Sequence, residues 1–156
     1  MKIKSWKSLI ISLAVALGTG AAAGILNAGS MEQYSAMYRP PLSPPGWVFP
    51  AVWTVLYVLM GIAAWLVWIS ESSEKNKALG LYAAQLAANA LWPFLYFRLN
   101  APLAALALLA LLWYLVWLTY QSFREISPAA GRLLIPYLIW LSFAFYLNLA
   151  IVIMHV

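Results

Sequence analysis

Tryptophan, tyrosine and carboxamide side chains recur at helical spacing in three apolar segments of the chain. Within each segment they are three or four residues apart, so they would share one face of a helix. Aromatic faces stack on flat apolar molecules, and a few carboxamides fix the orientation of such a molecule. This spacing predicts a cavity for a large planar apolar ligand. Its walls would be Trp53 and Tyr57 from one segment, Gln85, Asn89, Trp92 and Tyr96 from the next, and Tyr137, Trp140, Ala144 and Asn148 from the last.

The asparagines on these stripes also have a simpler interpretation. Amides inside membrane helices often do no more than hydrogen-bond a neighbouring helix, and Asn89 and Asn148 could have that role alone. Tryptophans near the ends of membrane helices are typical of interfacial belts. Trp53 and Trp140 lie a turn or two inside their segments, where a belt explains them less well.

Most catalytic chemistry is excluded by the residue types that are missing. The chain has no cysteine and no aspartate, its four glutamates lie at segment ends or in loops, and its single histidine is the penultimate residue, His155. No cluster could hold a metal ion, and no acid or base lies at mid-membrane, where a proton-coupled pump would need one. We therefore expect no metal, no cofactor and no classical acid–base enzyme.

The composition places these stripes in a lipid bilayer. Of the 156 residues, 65% are hydrophobic and 8% charged, against about a quarter charged in soluble domains. The apolar stretches are long and lack the alternation of a barrel strand, so spanning helices are expected. The prediction is an all-α integral membrane protein, a bundle of five transmembrane helices forming one membrane domain over residues 1–156. The predicted helices cover residues 9–26, 47–69, 78–97, 102–123 and 133–154, with kinks at Pro93 and Pro136.

The first apolar segment has an alternative interpretation as a signal peptide. The stretch "MKIKSWK" is basic, "LIISLAVAL" is short and apolar, and Ala21 and Ala23 give a plausible cleavage site. Gly20 and Gly24 instead favour a retained helix, because a GxxxG pair lets another helix approach closely.

The loop over residues 27–46 is long for a connector and rich in proline. Proline fixes φ and lowers the entropy lost when a loop becomes ordered. Pro40, Pro41, Pro44 and Pro45 therefore predict a stiff lid over the aromatic cavity, and Gly46 allows a sharp turn into the second helix. A rigid connector is the simpler alternative, but it would not need about twenty residues.

Three motifs in order resemble the translocator protein family (TspO/MBR, the peripheral-type benzodiazepine receptors). They are "RPPLSPPGWVFPAVWTVLY", "LYAAQLAANALWPFLYF" and "LLIPYLIWLSFAFYLN", and the likeness runs over nearly the whole chain. The resemblance implies a five-helix membrane bundle, often a homodimer, with the first loop closing the pocket. It implies a bacterial member located in the cell membrane, with porphyrins such as protoporphyrin IX and haem, or isoquinoline carboxamides, as ligands.

The resemblance also assigns site residues. By motif, the ligand-binding residues are Tyr34, Pro44, Trp53, Tyr57, Asn89, Trp92, Leu108, Leu111, Trp140, Ala144 and Asn148. Animal members bind cholesterol through a tyrosine followed by a basic residue at the end of the fifth helix. Here Tyr146 is followed by "LNLAIVIMHV", which has no Lys or Arg, so cholesterol binding is not expected.

Three functions remain open at this stage. The first is a membrane receptor or carrier for porphyrins and similar lipophilic planar ligands. The second is an enzyme that degrades protoporphyrin in light, in which the resemblance makes Trp53 and Trp140 the catalytic residues. The third is a signalling or scaffold protein. The expected partners are a lipophilic small molecule, membrane lipid and a second copy of the chain, and no nucleic acid.

The basic residues predict an orientation in the membrane. Seven lie on the side of the N-terminus and two on the side of the long loop, so the N-terminus is expected in the cytoplasm and the C-terminus outside. Reporter fusions after Lys75 and after Val156 should then fall on opposite sides of the membrane. If both reporters are active on one side, the predicted number of spans is wrong.

Overall fold

The computed structural model describes residues 3–29, 32, 36 and 39–154, and this part of the chain is helical with no strand. Among the elements whose bounds the described residues give, there are five long helices and one short helix. They are α1 (Ile3–Leu26), α2 (Val48–Trp68), α3 (Lys75–Pro93), α4 (Pro102–Ile126), α5 (Pro128–Leu133) and α6 (Ile135–Met154).

Within the described ranges, four helical segments are long and apolar enough to cross a membrane. They are Ser5–Leu26, Val48–Trp68, Pro102–Ile126 and Pro128–Met154, the last combining α5 and α6. The remaining long helix, α3, is less apolar because it carries Gln85 and Asn89, which are buried among the other helices. The predicted all-α membrane bundle is confirmed, and the chain is an integral membrane protein.

Several helix ends differ from those expected from hydropathy. Helix α1 begins at Ile3 rather than residue 9, because the basic residues near its start are compatible with a helix although they interrupt the apolar run. Before the last span, Ser127 caps the short α5 by accepting a hydrogen bond from the Ala130 N–H. Pro136 is the second residue of α6 and not an interior one, so the kink predicted there is a junction between two helices.

Pro93 disrupts its helix as predicted, but it ends the regular α-helix instead of kinking it. It is the last residue of α3, and the chain continues as a π-helical turn, Phe94–Arg98. Proline lacks an N–H and its ring crowds the carbonyl four residues earlier, so the regular hydrogen-bond ladder cannot continue. The Leu99 N–H instead bonds to the Phe94 carbonyl at 3.0 Å. Such π turns widen a helix and often occur at functional sites.

Helix α1 packs chiefly on α2, while α4 packs against both α3 and α6. The Ser12 hydroxyl donates to the Gly61 carbonyl at 2.7 Å, which joins α1 and α2 where Gly61 has no side chain. Gly20 allows a second close approach, since a Cβ there would lie 2.4 Å from the Tyr57 ring. Gly24 has open space around it, so the GxxxG pair does not act as one helix-packing motif within the chain.

Replacing Gly20 with Ala should destabilise the protein by about 1–3 kcal/mol, the usual cost of overpacking. The Tyr57 ring cannot move aside freely, because its hydroxyl is hydrogen-bonded to Asn89. Gly18→Ala on the same helix is the control, since nothing lies within 4 Å of the added methyl group. The midpoint of thermal unfolding in detergent should fall for Gly20→Ala only. Equal midpoints would show that Tyr57 is not held against α1.

Candidate ligand-binding cavity

A cavity of about 690 Å³ lies between α1, α2, α3, α4 and α6. Its volume is within the range of small-molecule sites, about 300–1,000 Å³. No charged side chain lines it among the residues that the structure describes. Three indoles, Trp53, Trp92 and Trp140, form much of its wall, and its polar groups are amides and hydroxyls. The site is therefore suited to an apolar molecule held by a few neutral hydrogen bonds.

Beside the cavity, a directed chain of hydrogen bonds joins α2, α3 and α6. The Tyr57 hydroxyl donates to Asn89 Oδ1 at 2.6 Å, and Asn89 Nδ2 donates to the Tyr137 hydroxyl at 2.6 Å. The Tyr137 hydroxyl donates in turn to Gln85 Oε1 at 2.8 Å. Gln85 Nε2 ends the chain at the Met60 sulfur, 3.7 Å away. All of these groups are buried, so each hydrogen bond satisfies a donor or acceptor that water cannot reach.

Asn148 provides a second polar link across the cavity wall. Its Oδ1 accepts from the Trp92 indole N–H at 3.1 Å, and its Nδ2 donates to the Pro102 carbonyl at 3.0 Å. Asn148 thus joins α6 to α3 and to the start of α4. Both asparagines hydrogen-bond neighbouring helices, as the simpler interpretation required, and both also line the cavity.

The indoles are held by contacts with other aromatic rings. Trp53 lies 5.7 Å from Tyr57 and 6.0 Å from Tyr137, measured between ring centroids. Trp140 packs edge-on against Phe49, with centroids 5.8 Å apart. The Trp140 indole nitrogen is buried without a hydrogen-bond partner among the described residues. These contacts keep the ring faces in place before any ligand arrives, which limits the entropy lost on binding.

The structure brings most of the predicted site residues together. Those lining the cavity are Trp53, Tyr57, Asn89, Trp92, Trp140, Ala144 and Asn148. Gln85 and Tyr137, from the same stripes, lie beneath the wall and are fully buried in the hydrogen-bond chain. Tyr34 lies outside the residues that the structure describes. Pro44 is described but is not part of the lining.

The contribution of α4 differs from the one expected. Leu109 and Leu112 line the cavity, whereas Leu108 and Leu111 do not. Leu111 is 50% exposed, and Leu112 is 1% exposed. One residue along a helix turns the side chain by about 100°, so Leu108 and Leu111 lie on a different face of α4 from the lining, and their assignment to ligand binding stays a prediction.

Sequence reasoning missed the whole α1 side of the site. Leu17, Gly20, Ala23 and Asn27 line the cavity there, and so do Phe49 at the start of α2 and Phe97 in the π turn. Small residues on α1 carry no aromatic or polar signal. Their only sign in the sequence was the run of glycine and alanine between residues 18 and 24.

The loop before α2 is fastened to the last helix. The Tyr146 hydroxyl donates to the Pro41 carbonyl at 2.8 Å. Pro40 is buried, and a tight turn from Pro40 to Ser43 is closed by a 3.2 Å hydrogen bond. Leu42 occupies the third position of this turn with a φ of 71°, a conformation that strongly favours glycine. The described part of the loop is thus held against α6, and its role as a lid stays a prediction.

These features define a class of protein, an integral membrane bundle of helices around a tryptophan-walled apolar cavity. The chain matches the TspO/MBR family over residues 10–154. It belongs to that family, which confirms the resemblance carried by the three motifs.

Relatives of the chain come from bacteria and from animals. It is 40% identical over 141 residues to the tryptophan-rich sensory protein of Cereibacter sphaeroides, covering 90% of this chain and 87% of that one. It is 37% identical over 151 residues to the tryptophan-rich protein TspO of Chlorobaculum tepidum, covering 91% and 94%. It is 36% identical over 140 residues to the human translocator protein, covering 88% and 83%.

The hydrogen-bond chain makes a prediction about two buried tyrosines. Tyr137→Phe removes a hydroxyl with two protein partners and leaves Asn89 Nδ2 and Gln85 Oε1 unpaired, which should cost about 1–3 kcal/mol of stability. Tyr82→Phe is the matched control, because the Tyr82 hydroxyl is buried with no partner among the described residues. It should be neutral or slightly stabilising. Equal unfolding midpoints for the two variants would contradict the importance of the chain.

Proposed function

We propose that the protein is a membrane receptor or carrier for porphyrins and similar lipophilic planar molecules. The observation that supports this most is the wall of the cavity, where Trp53, Trp92 and Trp140 surround an uncharged space with Asn89 and Asn148 among its few polar groups. Indole faces stack on flat rings, and amides can accept or donate one hydrogen bond each to orient the ligand. Membership in the TspO/MBR family agrees with this class of ligand.

A cavity within the membrane bundle suits a ligand that partitions into lipid. Such a ligand reaches the site from the bilayer and leaves it again without crossing water, because the helices around the cavity are themselves apolar. The cavity has no charged lining group in the described part of the chain, so the ring system enters without leaving an unpaired charge behind. Binding and carriage use the same cavity.

Light-dependent oxidation of a bound porphyrin is a second candidate function. It is favoured by one observation, the position of the Trp53 and Trp140 indoles on the cavity wall. Indole is easier to oxidise than phenyl, so an excited porphyrin stacked on either ring can take an electron from it and pass that electron to dioxygen, which becomes superoxide. The indole cation then recovers an electron from the ground-state porphyrin, and the porphyrin cation combines with superoxide to give an oxygenated product. No carboxylate, histidine, lysine or arginine lies in the described lining to assist proton transfer.

Titration with protoporphyrin IX in the dark tests the proposed function. The protein in detergent should bind one porphyrin in the cavity and lose tryptophan fluorescence as it does so. Trp53→Phe and Trp140→Phe should each weaken binding by about fivefold, the equivalent of ~1 kcal/mol for one aromatic contact. Trp117→Phe is the control, because Trp117 stacks on Trp113 away from the cavity. Absence of saturable binding to the unmutated protein would overturn the proposal.

Illumination of the same complexes separates the two candidates. If the protein oxidises porphyrin, the absorption of the saturated unmutated protein should decay in light, and the decay should be lost in Trp53→Phe or Trp140→Phe. Trp117→Phe should still show it. A saturated, unmutated protein whose porphyrin spectrum does not change under light would exclude the enzyme and leave the receptor or carrier.

A further inference from the structure

Arg98 lies at the rim of the cavity, at the end of the π turn. The residues just before it, Tyr96 and Phe97, line the cavity. Its Nε donates to the Leu26 carbonyl at the end of α1, at 2.9 Å. The residues directly after Leu26, from Asn27 to Gly29, line the cavity as well. The guanidinium is therefore fixed where two parts of the cavity lining meet.

Within the part of the chain that the structure describes, no neighbour neutralises the charge of Arg98. No glutamate in the described part of the chain forms an ion pair with it, and the hydrogen bond to Leu26 is the only one that it makes there. That bond uses one of the five N–H donors of a guanidinium, so its two terminal nitrogens remain available. The cavity lining itself carries no charge among the described residues, so an anionic group on a bound ligand has to be paired at the rim, where Arg98 lies.

We propose that Arg98 binds a carboxylate on the edge of the planar ligand, so that the site selects amphipathic ring systems with an acidic edge. A guanidinium and a carboxylate can form two parallel hydrogen bonds. The ring would stack on the indoles inside the bundle, while the acidic edge stays at the rim. This inference rests on the proposed function, since it concerns an anionic group on a ligand of the same cavity.

The position of Arg98 has a purely structural explanation that the experiment must separate from the proposal. A cation near the last carbonyls of a helix stabilises the helix end, and Arg98 has that relation to α1. Arg98→Gln keeps a side-chain N–H donor for the Leu26 carbonyl but removes the charge. If capping is the whole role, this variant changes the affinity for every ligand equally.

The test compares protoporphyrin IX with its dimethyl ester, which has the same ring without the negative charges. The unmutated protein should bind the free acid about threefold to tenfold more tightly than the ester, in keeping with a partly exposed, charge-assisted pair. Arg98→Gln should lose this preference and bind the ester as before, and Arg98→Lys should retain part of it. Lys75→Gln is the control, because Lys75 is a cation at the opposite end of α3, bonded to the Ser70 carbonyl.

Each result has a distinct meaning. An equal loss of affinity for acid and ester in Arg98→Gln would overturn the proposal and make Arg98 a helix cap. An unchanged preference for the acid in that variant would overturn it as well. If neither ligand binds the unmutated protein, the proposed function itself fails. Added salt should reduce the preference for the acid in the unmutated protein and have no such effect in Arg98→Gln, because an exposed pair is screened.

Discussion

The hydrogen-bond chain from Tyr57 through Asn89 and Tyr137 to Gln85 fixes the relative positions of α2, α3 and α6. Helices in a bilayer gain little from burying apolar side chains against each other, because lipid tails are equally apolar. Polar contacts of this kind and close packing therefore determine how the helices sit. Since Asn89 and Tyr137 each accept from one neighbour and donate to the other, loss of either one leaves its neighbours unpaired in a place without water.

The cavity lies beside this hydrogen-bond chain, in a part of the bundle where the helices do not pack closely together. Helix α1 contacts Tyr57 at Gly20, yet nothing lies within 4 Å of a Cβ built at Gly24, one turn further along. Pro93 ends the regular ladder of α3, and the π turn that follows carries Phe97 into the lining and Arg98 to the rim. Asn148 then joins α6 to Trp92 and to the start of α4. Hydrogen bonds thus join the helices on either side of the apolar cavity.

Much of the site could be predicted because its polar side chains are unfavourable in contact with lipid. Amides and tyrosines in the middle of apolar helices must face the interior. The stripes on α2, α3 and α6 therefore showed which face of each helix points into the bundle. The first half of α4, over residues 102–112, is almost entirely leucine and alanine, so the sequence does not show which face points inward. The prediction named Leu108 and Leu111, whereas Leu109 and Leu112 line the cavity. The small residues of α1 carried no aromatic or polar signal. The π turn and the short α5 depend on local hydrogen bonds that hydropathy does not report.

The central claim is that a planar ligand occupies the cavity between these helices. Ala144 lines it from α6, and Ala144→Phe would place a ring in the space that the ligand needs. Ala110→Phe is the control, because Ala110 is an exposed residue of α4 outside the lining. The most direct measurement is the affinity of both variants for protoporphyrin IX, followed by tryptophan fluorescence. The account predicts a loss of at least about tenfold, ~1.4 kcal/mol, for Ala144→Phe and none for Ala110→Phe. A folded Ala144→Phe variant that binds with unchanged affinity would show that the ligand lies elsewhere.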